Sequence, residues 1–212
     1  TPRAQNRVMK KFLANRSAMI GAIIVGIFVV IALLAPWIAP FDPVKANFLA
    51  VRKPPSELYW FGTDELGRDI LSRIIWGART SLMAGCVSVM IAVVIGVPLG
   101  LVAGYFQGIW DGIISRFIEA LLACPFLIMA IALGAFLGPS LSNAMIAIGL
   151  SAMPIFARLT RGQVIAIRSE EYIDGARAIG PPGPWIIVIY VLPNVMSPIS
   201  LQAPLAISSA VI

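Results

Sequence analysis

The chain contains no histidine in its 212 residues and only four lysines, Lys10, Lys11, Lys45 and Lys53. The first absence removes imidazole acid–base chemistry and histidine metal ligation. None of the lysines follows a glycine, so there is no G-x-x-x-x-G-K-[ST] phosphate loop, and any ATP-driven process would need another polypeptide to bind the nucleotide. The two cysteines, Cys86 and Cys124, lie in or beside apolar runs and read as small hydrophobes. Charge is also scarce: 12% of residues are ionised, against about 25% in a typical soluble domain. No nucleic-acid partner is expected, and the acids lack the D-x-D-x-D-G spacing of a calcium loop.

What is present is apolar sequence, 59% of the chain with a mean hydropathy of +0.91. No charge occurs for 25 residues between Arg16 and Asp42, for 31 between Arg79 and Asp111, or for 38 from Ala120 to Ala157. A helix needs about 20 apolar residues to cross the hydrocarbon. The runs therefore predict an all-α polytopic membrane protein with five spans, at 17–39, 80–105, 113–136, 142–164 and 186–210. The layout is a basic tail (1–16), a first span (17–39), a hydrophilic loop (40–79) and a helical core (80–212). Ile212 arrives inside an apolar run with no flanking charge, which predicts that a sixth helix is missing at the C-terminus.

Orientation follows from the basic residues. Arg3, Arg7, Lys10, Lys11 and Arg16 precede the first span with no acid among them, which predicts a cytoplasmic N-terminus. The alternation then puts 40–79 outside and 165–185 inside. The first span is too long, and followed by too many others, to be a cleaved signal.

Within the spans the only charged side chains are Arg116, Glu119, Arg158 and Arg161, all near the cytoplasmic ends, where they read as snorkelling or helix-end pairs. An ion-coupled carrier generally needs a titratable group near the midplane, so energy from an attached machine is favoured. The alternatives are an ion-coupled secondary carrier and a channel subunit. Gly96, Gly100 and Gly104, with Pro98, Pro125, Pro154, Pro193 and Pro198, predict close helix packing and kinked spans. The polar candidates for a pathway are Ser142, Asn143, Ser151, Gln163, Asn194, Ser197, Ser200 and Gln202.

One charged segment interrupts the apolar series, SEEYIDGARAIGPPGPWIIVIYVLP from Ser169 to Pro193. Ser169 is placed to cap a short helix over 169–180, with Glu170 and Glu171 in its first turn and Arg177 near its end. Gly180 is placed to close it in a left-handed conformation, and Pro181 and Pro182 forbid its continuation. Such a helix is too short to be stable alone, so it predicts a docking element at the bilayer surface.

The spacing from Asp174-Gly175-Ala176 through Gly180 to Tyr190-Val191-Leu192-Pro193 resembles the E-A-A-x3-G-x9-I-x-L-P signature of ABC importer permeases, departing from it at Asp174, Gly175 and Tyr190. A second block, FGTDELGRDILSRIIWGARTSL from Phe61 to Leu82, resembles the outer loop of the dipeptide/oligopeptide group, which also handles nickel complexes and glutathione, in its C-type subunit. ARLTRGQVIAIRSEEYIDGARAIG, the APWIAPFDP ending of the first helix and the Cys124-Pro125-Phe126 turn are similar to the same group.

The resemblance implies the type I ABC importer permease fold and a bacterial inner-membrane transport subunit without its own ATPase site. ATP and Mg would sit on two partner ATPase subunits, and the other partners would be a homologous second permease and an extracytoplasmic solute-binding protein. It places ATPase coupling on Glu171, Asp174, Gly175, Ala176, Arg177 and Gly180, with Leu192 and Pro193 ending the motif. Gly62, Asp64, Gly67, Arg68 and Asp69 would face the binding protein, or else form a salt-bridged loop. No catalytic or metal residue is implied in this chain.

Overall fold

The computed structural model describes residues 14–211, so Arg3, Arg7, Lys10 and Lys11 of the basic tail, and Ile212, lie outside the described residues. These form helices and loops with one isolated bridge, Thr63 to Asp69, and no sheet. The chain divides into two compact units between Met83 and Ala84.

The first unit begins with α1 (Arg16–Ile38), where the Asn15 side chain accepts from the Ser17 and Ala18 amides. This helix is apolar all round and mostly exposed, which suits a lipid-facing span. A folded loop follows, containing a 3-10 turn at Phe48–Ala50. α2 (Ile70–Phe106) then starts ten residues before the predicted 80, because the Asp69 carboxylate accepts from the Ser72 amide and hydroxyl and so caps it early. With 37 residues, α2 is about 55 Å long at 1.5 Å per residue, well beyond the ~30 Å of a hydrocarbon core.

In the second unit, α2 lies against α5 (Leu141–Arg168) along a row of small residues. A Cβ on Gly96 would stand 2.6 Å from the Met153 carbonyl oxygen, and one on Gly100 2.5 Å from that of Ala157. One on Gly104 would be 2.7 Å from Val164 Cβ, and one on Gly149 2.7 Å from the Ser88 carbonyl oxygen. The Ser88 hydroxyl donates to the Met145 carbonyl across the same contact at 2.9 Å. The predicted close packing is therefore located: backbones meet where side chains are missing.

The third predicted span, 113–136, is instead two helices, α3 (Gly108–Leu122) and α4 (Phe126–Leu137), bent by 92°. Pro125 stands at the bend: it cannot donate an amide, and its ψ of 132° lies outside the helical range. Among the described residues, four helices are long and apolar enough to cross a membrane, and five spans result if the bent pair counts as one.

α5 leads into α6 (Glu171–Ile179), then α7 (Gly183–Ile186), a π-helical turn at Ile187–Val191, and α8 (Leu192–Val211). The last span thus begins at 183 rather than 186. In the π turn the Leu192 amide donates to the Ile187 carbonyl, and the wider turn accommodates Pro193, which has no amide to give. Phe156, Val164, Ile173, Ile186, Val191 and Val195 form the buried centre of this unit.

Candidate functional site

α6 is shorter than predicted. Ser169 does not cap it: that residue closes α5, its hydroxyl donating to the Ala166 carbonyl, and Glu170 holds the N-cap position without a side-chain bond. The stop matches expectation, with Gly180 left-handed at φ 88° and its amide donating to the Arg177 carbonyl. Period-3 spacing puts Ile173 and Ala176 on the inner face, both buried in the core. The Arg177 guanidinium lies 5.7 Å over the Tyr105 ring and 3.0 Å from the Asp174 carboxylate.

The outer face is bare. Glu171, Tyr172, Asp174, Gly175, Ala178 and Ile179 are exposed, and Gly175 has open space around it. Of the six predicted coupling residues, Glu171, Asp174, Gly175 and Gly180 share exposed positions, Arg177 is half-buried, and Ala176 turns inward. Leu192 and Pro193 stand apart from α6, at the junction of the π turn with α8.

Sequence reasoning missed a second feature close by in the chain. Arg161 of α5 grips Asp111 of α3 with two charged hydrogen bonds, 2.5 Å from Nε and 2.7 Å from Nη2, and the Ser115 hydroxyl also donates to Asp111. Arg161 therefore ties two helices together rather than snorkelling. The available signal was positional: Asp111 is the first charge after 31 uncharged residues. Beside the pair, Ser115, Glu119 and Arg158 line a cavity of about 160 Å³. Arg116 and Glu119 form only a loose, exposed pair at 3.9 Å.

The outer-loop residues come together around Asp64. Its Oδ1 accepts from the Leu66 and Arg68 amides, and its Oδ2 meets Arg68 Nε at 2.8 Å and Arg73 Nη1 at 2.5 Å. Partial desolvation pushes this carboxyl up, but the two amides and the Arg68 guanidinium outweigh it and hold the pKa down at about 2. Gly62 (φ 74°) and Gly67 (φ 72°) are required sterically as well as conformationally: a Cβ on Gly67 would stand 1.8 Å from the Asn47 carbonyl oxygen. The salt-bridged arrangement is thus present, with buried Asp69 as the α2 cap.

Among the polar pathway candidates, Gln202 lines a cavity of about 240 Å³ with Phe126, Phe156, Leu205 and Ser209. Ser151 instead bonds the Ala147 carbonyl within α5, Asn143 bonds the Leu137 carbonyl, and Asn194 bonds the Tyr190 carbonyl over the π turn. Cys86 and Cys124 are free thiols.

Comparison with known proteins matches residues 96–212 to a family described as the binding-protein-dependent transport system inner membrane component, and residues 6–55 to the N-terminal transmembrane domain of oligopeptide transport permease C. The chain is 44% identical over 203 residues to the dipeptide transport system permease protein DppC of Alkalihalophilus pseudofirmus, covering 96% of this chain and 67% of that protein. It is 43% identical over 207 residues to the protein of the same name from Escherichia coli, covering 95% and 69%. It is 39% identical over 204 residues to the glutathione transport system permease protein GsiD of Shigella flexneri, covering 96% and 67%.

Proposed function

This chain belongs to the inner-membrane component family of binding-protein-dependent transport systems, and from that premise we propose how it works as an ABC importer permease. It is a multi-pass inner-membrane protein with the type I permease fold. Its solute is a short peptide, a reading supported by relatives named for dipeptide and glutathione transport. It lines the pathway together with a homologous second permease, receives solute from an extracytoplasmic binding protein, and has its N-terminus in the cytoplasm. Two partner ATPases hold the ATP and Mg; this chain contributes no catalytic group.

The observation that carries the coupling reading is the two-faced α6. Ile173 and Ala176 fix the helix to its own core, while Glu171, Asp174, Gly175 and Ala178 leave an outer face of small residues and charge. Small residues permit close approach, and the charges set register against a complementary cleft. Closure of the ATPases on ATP pulls α6 and, through α5, tilts the kinked spans to open the pathway outward; hydrolysis resets it inward.

The test is recovery of partners from native membranes in mild detergent. The tagged protein should bring down a P-loop ATPase, and Ala178→Trp, which crowds only the exposed face, should lose it while retaining the second permease. Equal recovery of the ATPase with Ala178→Trp, or none with the wild type, overturns the assignment.

A further inference from the structure

Two charged side chains stand inside the spans without firm partners. Glu119 of α3 and Arg158 of α5 line the cavity of about 160 Å³ beside the Asp111–Arg161 tie, together with Ser115, Ile118 and Arg161. Both open to the exterior of the chain, where their neighbours Ile113, Phe117 and Ile155 are exposed and apolar. Among the described residues Arg158 has no carboxylate within ion-pair distance, and Glu119 meets only Arg116, at 3.9 Å, beyond a hydrogen bond. Charge turned toward lipid is expensive, so ionised groups set among apolar span residues face a water-filled path and mark what moves along it. Counted from the tie, Glu119 lies eight residues further along α3 and Arg158 three residues back along α5, on the same side. By helical rise these are about 12 Å and about 4.5 Å, an offset of about 7 Å. Two residues of extended chain span about the same length, at most ~7 Å.

We propose that this cavity is a station on the transport path that holds a dipeptide by its two ends, Glu119 taking the N-terminal ammonium and Arg158 the C-terminal carboxylate. The inference rests on the importer reading above and names the contacts that reading lacks. Arg158 can give a carboxylate two parallel N–H donors, and Arg161 keeps Nη1 free of Asp111, to which it donates only from Nε and Nη2. An ammonium is a compact charge with three donors, suited to the single oxygens of a glutamate. Charge order selects a peptide over the zwitterionic lipid of the bilayer itself. In phosphatidylethanolamine the phosphate lies nearer the hydrocarbon than the ammonium, whereas here the acid lies deeper in the span than the base. A head group would meet both charges in the wrong order; a free peptide has no fixed orientation to satisfy. Recognition by the ends alone leaves the peptide side chains unread, so one station serves dipeptides of any sequence.

The assembled transporter, in nanodiscs and without the solute-binding protein, is titrated with alanylalanine, its N-acetyl derivative and its C-terminal amide, and contact is read by saturation-transfer NMR. Alanylalanine should show saturable contact, and each blocked peptide should bind about tenfold or more weakly, having lost one charged hydrogen-bonded end. Glu119→Gln should weaken alanylalanine by a similar factor and leave the N-acetyl peptide unchanged. Arg158→Gln should weaken it likewise and leave the amide unchanged. A variant that merely disturbed the structure would weaken all three probes together, so the pairing of variant with probe reads the contact itself. Contact that appears only in nanodiscs lacking phosphatidylethanolamine would assign the cavity to a lipid head group and overturn the proposal. So would no saturable contact, equal contact by all three peptides, or variants that weaken all three alike. Uptake of alanylalanine by wild-type proteoliposomes supplied with the binding protein separates the two readings: uptake without the contrast above removes this site alone, whereas no uptake of any short peptide removes the importer reading.

Discussion

Truncating Ile173 to alanine should detach α6 without disturbing the helices around it. Ile173 is fully buried, and removing such a side chain costs about 2–5 kcal/mol when its surroundings relax only partly. α6 has nine residues, about two and a half turns, and isolated helices below about 12–15 residues are marginal in water. Its order therefore depends on the inner face, where Ala176 and the Arg177–Tyr105 contact would remain. At about 1.4 kcal/mol per factor of ten, the smallest expected loss is about 30-fold in the docked-to-undocked ratio. Hydrogen exchange of the 171–179 amides measures that ratio directly. Exchange there should quicken about 30-fold or more, with the α5 and α8 amides unchanged, and ATPase stimulation by loaded binding protein should fall with it. Gly175→Ala provides the opposite sign: its Cβ meets nothing within 4 Å, and helix propensity gains about 1 kcal/mol, slowing exchange about fivefold. Unaltered protection in Ile173→Ala would refute the inner-face anchoring of α6.

Gly100→Ala should lower the melting temperature, since its Cβ would lie 2.5 Å from the Ala157 carbonyl oxygen and overpacking costs about 1–3 kcal/mol; Gly162→Ala, in open space, should not. Asp64 has a pKa held at about 2 in the fold against 3.8 ordinarily, so its contribution to loop stability is complete above about pH 4 and lost as pH falls toward 2. Limited proteolysis of the 40–69 loop should show that acid sensitivity reduced in Asp64→Asn. Asp111→Arg and Arg161→Asp should each depress thermal stability and transport, and the double exchange should recover part of both; no recovery would refute the helix tie.

The helical class, the α1 boundaries and the closure of α6 at Gly180 were legible because each has a local cause: apolar length, the uncharged run between Arg16 and Asp42, a left-handed glycine before two prolines. The glycine row was legible as small residues, though its partner helix was not. Errors arose where a nonlocal or competing bond decided the outcome. Asp69 started α2 early by bonding Ser72, while Ser169 turned back to α5 instead of capping α6. Pro125 was visible as a break, but nothing in its neighbours encodes a 92° angle. The Asp111–Arg161 tie joins residues 50 apart, and a cavity in the outer loop forms only when the segments around Phe41, Tyr59 and Asp69 meet. Asp111, the first charge after a long uncharged run, was the sole trace the tie left in the sequence.

The second unit is built so that a pull on α6 must move more than α6. Its inner face is locked by Ile173 and Ala176, so force on the outer face passes into the core rather than unwinding the helix. α5 continues directly into α6 through Ser169 and Glu170, too short a joint to absorb a large displacement. α5 in turn holds α2 at backbone contact through Gly96, Gly100 and Gly104, and holds α3 through Arg161 and Asp111. Packed interfaces of this kind resist continuous deformation and shift between discrete arrangements. Compliance must then reside where helical bonding is already broken: at Cys124-Pro125 between α3 and α4, and at the π turn before Pro193. A stiff block of α2, α3, α5 and α6 flanked by two hinges accounts for the coexistence of tight glycine packing and many prolines in one unit, and it follows that loosening the Asp111–Arg161 tie should uncouple ATP hydrolysis from transport more than it lowers hydrolysis itself.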